Sequence, residues 1–257
     1  MTPASPFVFF ALTGVVSLPF WALGTLTDMR LLPALPLSAL MVVAPATAAS
    51  ILVLRIGGVQ ALRRFWRRSV DAAAMRLWAW VVVVVTMPLV MVLSGAWLLA
   101  TGHDLPAPQL DPGQLLGLFA LFLFAATVEE LGWTGYAARA LYVSHGLLTA
   151  GAILGVATVL WHVIPLLQAG RKWEWIAWWS GGTISRRIII LWLFVHGGQS
   201  VFATSLFHAM SNLSWMAFPV MGSHFDPQSV AVIMVLIATL ILACRRFRWR
   251  KSLRRNP

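Results

Sequence analysis

The stretch LFLFAATVEELGWTGYAARAL, residues 121–141, sets two carboxylates side by side, Glu129 and Glu130, at the end of an uncharged, mostly apolar run. The whole chain holds only three glutamates. Adjacent carboxylates repel, and an apolar setting resists the ionisation of either. What surrounds this pair decides both the fold and the chemistry.

Outward from that stretch the chain is apolar almost throughout. Of 257 residues, 60% are hydrophobic and 11% charged, against roughly 45–50% and about 25% in a soluble domain. Most of the length falls into apolar runs of about 20 residues, enough to cross a bilayer as a helix. Runs such as VVVVVTMPLVMVLSGAWLLA and AVIMVLIATLILAC do not alternate, as strands of a membrane barrel would. The predicted fold is all-α: a polytopic membrane bundle of about eight transmembrane helices, forming a single membrane-embedded domain over 1–257. The spans are expected near 7–27, 31–54, 77–101, 114–142, 147–168, 174–196, 200–219 and 229–245. The N-terminus lacks a basic region and a convincing cleavage site, so 7–27 reads as a retained first helix. The single cysteine, Cys244, leaves no intramolecular disulfide to consider.

Basic residues orient the set. The segment 55–76 carries six arginines, and the tail 245–257, RRFRWRKSLRRNP, is strongly basic. Both are expected in the cytoplasm, which puts both termini there. The segments 102–113 and 220–228 have no Lys or Arg and fit the outer side. Arg171, Lys172, Arg186 and Arg187 conflict with this scheme, and a partly interfacial KWEWIAWWSGGTIS would accommodate them. The formal charge of +11 is explained by orientation and by lipid headgroups meeting 63–68, so no nucleic-acid partner is expected. Trp21, Trp97, Trp173 and Trp175 fall near span ends, as an interfacial belt would. His103, His145, His196 and His224 fall in loops or at span ends and read as solvated.

Within the spans, ionisable groups are rare, and each is costly at mid-bilayer. At a rise of ~1.5 Å per residue, Glu129 lies roughly 20 Å from the cytoplasmic end of its span. His162, His208 and Asn212 lie about 22, 14 and 20 Å into theirs on the same measure. Thr204, His208, Ser211, Asn212 and Trp215 recur at helical spacing on one face. Such a stripe more often makes interhelical hydrogen bonds than chemistry; the matched depth with the carboxylate pair argues for a site. In a low-dielectric cavity the two carboxylates should ionise separately. One then serves as general base on water, while the other is protonated or bridged to a cation, with His162 the nearest partner. His208 and Asn212 suit an oxyanion. The implied reaction is acyl transfer to water.

EELGWTGY, the WH of TVLWHVIP and HAMSN resemble the three motifs of the CPBP membrane proteases, EExxxR, FxxxH and HxxxN. That family includes CAAX prenyl endopeptidases and bacterial, Abi-type relatives linked to bacteriocin processing or immunity. The resemblance covers 115–218, which it marks as the catalytic core. It implies a membrane endopeptidase acting on a peptide or protein substrate in or at the bilayer, in the cell (inner) membrane of a bacterium. It implies Glu129 as the water-activating base, Glu130 supporting it beside His162, and His208 with Asn212 at the oxyanion. No cofactor is expected; were the protein metal-dependent, Glu129, His162 and His208 would be the zinc ligands. Thr158 stands where the second motif has Phe, a mild packing change, and Thr134 stands where the first has Arg. Glu130 is therefore expected to lack a cation unless Arg186 or Arg187 reaches it from another helix. A catalytically silent membrane adaptor or immunity factor is the alternative. A proton-coupled transporter is less well supported, because no inverted repeat is visible.

Overall fold

The computed structural model describes residues 5–27, 29–32, 35–108 and 111–253, with side chains up to Cys244. The basic tail, 245–257, lies outside the described side chains. Among the described residues eight long helices make up the bundle: α1 Pro6–Leu26, α2 Ala44–Arg67, α3 Leu77–Ala100, α4 Pro112–Glu130, α5 Arg139–Gln168, α6 Trp173–His196, α7 Val201–Ala217 and α8 Pro227–Leu253, with a single turn at Pro219–Gly222 between the last two. Five helical stretches are long and apolar enough to cross a membrane, and one of these, Pro112–Gln168, is long enough to hold two of the expected spans. The chain is an integral membrane protein. Neither α6 nor α7 is among the five; α6 carries two arginines at its middle and α7 is only 17 residues long. These two helices carry Arg187, His208 and several buried Ser and Thr side chains.

Departures from the expected spans have local causes. The second span was expected from residue 31, but Arg30–Leu32 and Leu35–Pro36 pair as a short antiparallel hairpin. A 3₁₀ segment, Leu37–Val43, then leads into α2. Pro36 has no amide hydrogen and fixes φ, so the helix cannot begin earlier. The expected Arg-rich loop is helical as far as Arg67. Gly58, at φ +64°, bends α2 there, a backbone conformation that glycine adopts without a Cβ penalty. Beyond the bend, Phe65 is buried while Arg63, Arg64 and Arg67 are exposed. Arg68 reaches back to the bundle: its Nη1 donates to the Gly135 carbonyl at 2.7 Å.

Between α4 and α5 the helix does not stop; it widens to a π-helix over Leu131–Ala138. The looser turn shifts hydrogen bonding to i→i+5 and re-aims the side chains around it, a feature frequent at functional sites. Gly132 here sits so close to α2 that a Cβ would lie 2.6 Å from the Pro45 carbonyl oxygen. The expected break at VSHG is a bend at Gly146, φ +73°. α1 closes one side: Phe9 stacks edge-on against Trp133 at 5.4 Å, and the Trp161 indole donates to Ser17 Oγ at 2.7 Å.

KWEWIAWWSGGTIS, residues 172–185, was expected to be partly interfacial to accommodate the basic residues around it. α6 runs unbroken from Trp173 to His196, so Arg186 and Arg187 lie mid-helix inside the bundle. Arg171 precedes the helix and stacks over Trp175 at 4.6 Å. The closeness of α5 to α6 depends on Gly151 and Gly155, one turn apart. A Cβ would meet Ile188 Cα at 2.9 Å from the first and Ile184 Cα at 2.7 Å from the second. This is small-xxx-small packing, which lets membrane helices approach to backbone contact.

Gly155→Ala should therefore lower thermal stability in detergent, by about 1–3 kcal/mol as for other overpacked sites. Gly117→Ala is the control, since a Cβ there meets nothing within 4 Å. Equal melting temperatures for the two variants would mean that the α5–α6 contact is not stability-limiting.

Candidate active site

The two adjacent glutamates have opposite surroundings. Successive residues on a helix point about 100° apart, so one can enter the packed interior while the other faces a cavity. Glu130 is fully buried, with 0% of its surface exposed. Its Oε1 accepts from Arg187 Nη1 on α6 at 2.5 Å and from His208 Nδ1 on α7 at 2.9 Å. Its Oε2 accepts from Thr134 Oγ1 in the π-helix at 2.5 Å. Three donors from three elements thus converge on one carboxylate.

Two expectations are corrected by this. Glu130 does have a cation, Arg187, which is itself only 2% exposed. Thr134, at the position of the motif arginine, donates to the other oxygen of the same carboxyl group. The imidazole against Glu130 is that of His208, whereas His162 was expected there. α7 carries His208 onto α4 because small residues line their contact: Ala126 and Ala209 are both fully buried.

Glu129, 6% exposed, has an Oε2 with no hydrogen-bond partner among the described residues. It lines a cavity of about 570 Å³ together with His162, His208, Ser211, Asn212 and Arg186. Four of the five residues expected at the site therefore share one cavity. Glu130 does not line it; it sits behind, within the ion pair. The rest of the lining is mainly apolar and includes Leu31, Leu32, Leu35 and Pro36 of the hairpin. Trp175, expected in the interfacial belt, instead forms part of the cavity wall beside Trp179.

Hydrogen bonds fix the histidine tautomers. His162 Nδ1 lies 2.8 Å from the Thr158 carbonyl. A carbonyl only accepts, so Nδ1 carries the proton, and Nε2 of the neutral ring presents its lone pair. The ring is held between Trp161, edge-on at 4.7 Å, and Trp179 at 5.3 Å. His208 Nδ1 likewise donates to the Glu130 carboxylate, which leaves Nε2 as its only other polar atom. Among the described residues no three His, Cys, Asp or Glu side chains gather into a metal-holding group; Glu129, His162 and His208 share only the cavity lining.

Arg187 and Arg186 carried one sequence signal that was underused: two adjacent arginines in the middle of an apolar span. The π-helix had no such signal.

Comparison with known proteins agrees with the motifs. Residues 111–214 match the family described as type II CAAX prenyl endopeptidase Rce1-like. CAAX prenyl protease 2 of Methanococcus maripaludis is 26% identical over 231 residues, covering 82% of this chain and 83% of that protein. The chain is thus similar to CAAX proteases, with the family match confined to the segment that carries the three motifs. Here the cation facing Glu130 comes from α6, whereas the EExxxR motif would place it one turn along from that glutamate.

Arg187→Gln should destabilise the protein strongly, by about 3–5 kcal/mol, because it strands a buried carboxylate. Adding Glu130→Gln should recover much of that loss, read as melting temperature in detergent. Thr134→Arg should lower stability and activity together, since it puts a second guanidinium beside Arg187 and removes a hydrogen bond. A gain in activity from Thr134→Arg would show that Arg187 does not satisfy Glu130.

Proposed function

We propose that this CAAX-protease relative is a membrane endopeptidase that hydrolyses a peptide bond with water activated by Glu129. The observation that carries the reading is the division of labour between the two glutamates. Glu130 is consumed by an ion pair and two further donors, whereas Glu129 turns an unpartnered oxygen toward a largely apolar cavity that His162 shares. A general base must reach its proton and must not be neutralised by a permanent partner; only Glu129 meets both conditions.

In the proposed reaction, Glu129 accepts a proton from water while the bare Nε2 of His162 accepts a hydrogen bond from the same molecule. The resulting hydroxide attacks the scissile carbonyl carbon. The oxyanion that forms is stabilised by the Asn212 amide and by His208. His208 donates from Nε2 in its doubly protonated form, with the Glu130 carboxylate against Nδ1. Glu129 then passes its proton to the departing amine, and the peptide bond breaks. The substrate is a peptide or protein segment in or at the membrane, consistent with the apolar lining. The cell (inner) membrane of a bacterium is the proposed location, with segments 55–76 and 245–257 in the cytoplasm. The adaptor reading was motivated by Thr134, and Arg187 supplies the cation whose absence suggested it.

Glu129→Gln should reduce cleavage of a reporter segment in detergent by about 10²–10⁴-fold, the usual cost of losing a general base. Asn212→Ala should lower kcat by about 10²–10³-fold, as for other oxyanion donors, with KM little changed. Chelators should leave the rate unchanged. Undiminished cleavage by Glu129→Gln would defeat the mechanism, and a loss with phenanthroline restored by zinc would reassign Glu129 and His162 as ligands.

A further inference from the structure

A second pocket, of about 330 Å³, is lined by Arg171, Lys172, Glu174, Trp178 and Asp226. Trp175 and Pro227 belong both to its wall and to that of the larger cavity. Asp226 is committed to the start of α8, where its Oδ2 accepts from Ser229 N at 2.8 Å. The Arg171 guanidinium lies over the Trp175 ring at 4.6 Å. That contact holds it by its face and leaves the N–H groups at its edge available. Among the described residues Arg171, Lys172 and Glu174 form no ion pair, although all three line this one pocket.

The place of the pocket in the bundle is as informative as its charge. The Arg-rich segment 55–76 meets the other end of α6, where Arg76 N donates to the Gly197 carbonyl at 2.9 Å. α6 is 24 residues long, about 36 Å at the usual helical rise. Arg171 and Lys172 therefore lie at the opposite end of the bundle from that segment. The positive-inside rule assigns the Arg-rich end to the cytoplasm, so this pair stands on the face where Lys and Arg are scarcer. Trp173, 64% exposed, follows the pair directly, and Trp178 in the pocket wall is 39% exposed. Exposed tryptophans of this kind mark the headgroup layer. The anion concentrated at that depth is the phosphodiester of the lipids themselves.

Glu174 narrows the choice among lipids. A carboxylate in the first turn of a helix is favoured by the helix dipole alone, so Glu174 by itself marks nothing. Beside two basic groups that it does not pair with, it repels a further negative group and receives a positive one. A primary ammonium brings three N–H donors to a carboxylate; a quaternary ammonium brings none. We infer that this pocket binds the headgroup of a zwitterionic aminophospholipid, with the phosphodiester on Arg171 and Lys172 and the primary ammonium on Glu174. The site is independent of the peptidase reading. Because Trp175 and Pro227 wall both spaces, the bound headgroup lies directly behind the larger cavity.

The test is native mass spectrometry of the full chain in detergent, titrated with dioleoyl phosphatidylethanolamine, phosphatidylcholine or phosphatidylglycerol. The wild type should hold one phosphatidylethanolamine about tenfold more tightly than either of the others, the difference that one hydrogen bond to a charged group makes. The double variant Arg171→Gln, Lys172→Gln should bind all three weakly and alike. Glu174→Gln should lose the preference and bind phosphatidylglycerol at least as well as phosphatidylethanolamine, a reversal that loss of fold could not produce. Equal binding of the three lipids by the wild type overturns the assignment, as does a preference that survives in the double variant. Displacement of the lipid by free O-phosphoethanolamine would also overturn it, by making the ligand a soluble phosphate. No arm reads cleavage, so failure of the peptidase reading leaves each of these results as it stands.

Discussion

The ion pair between Glu130 and Arg187 is the constraint on which the rest of the bundle is arranged. Neither charge could be buried alone without a penalty of several kcal/mol, so α4 and α6 must meet where they do. His208 on α7 and Thr134 in the π-helix supply two more donors to the same carboxylate. Four elements are thereby tied to one point. The π-helix has a reason in this light: its wider turn sits immediately after the two glutamates, where the chain must deliver one carboxylate inward and the other to the cavity. Arg68 accommodates part of the irregularity from outside by donating to the Gly135 carbonyl.

The same arrangement bears on the departure from the EExxxR motif at residue 134. Motif arginine and Arg187 present the same chemistry to Glu130 from different helices. What the site needs is a guanidinium at a point in space, and the helix that provides it is secondary. Removing the arginine from the first motif also leaves room for a hydroxyl on the second carboxylate oxygen. Glu130 is consequently held on both oxygens, which fixes the direction in which its neighbour Glu129 must face.

Most of the helices were legible because the bilayer imposes a length and an apolarity that a sequence displays directly. The break at Gly146 was legible for the same reason, as VSHG interrupts two apolar runs. The pairing of Arg30–Leu32 with Leu35–Pro36 was not, since LLPALP is as apolar as a span and only its two prolines argue against helix. The candidate site was legible in its membership more than in its contacts. Glu129, His162, His208 and Asn212 share a depth, and depth can be counted along a helix. Which histidine meets Glu130 depends on how α7 packs on α4, and that packing is set by alanines that carry no chemical label. Arg187 was legible only as one of two candidates: adjacent charges in mid-span announce a partner, but which of the two reaches Glu130 depends on how α6 is rotated.

The hairpin leucines that border the cavity have a kinetic meaning. Leu31 and, nearby, Leu40, Leu121 and Phe124 are exposed on the outside of the bundle as well as lining the cavity, so the approach is greasy and turns toward acyl chains. A substrate arriving there travels in two dimensions. For the peptidase proposed above, what saturates the site is then the substrate's mole fraction in the bilayer, not its molarity in the buffer. Adding inert lipid at fixed protein and substrate thins the substrate and slows the reaction, although no bulk concentration has changed.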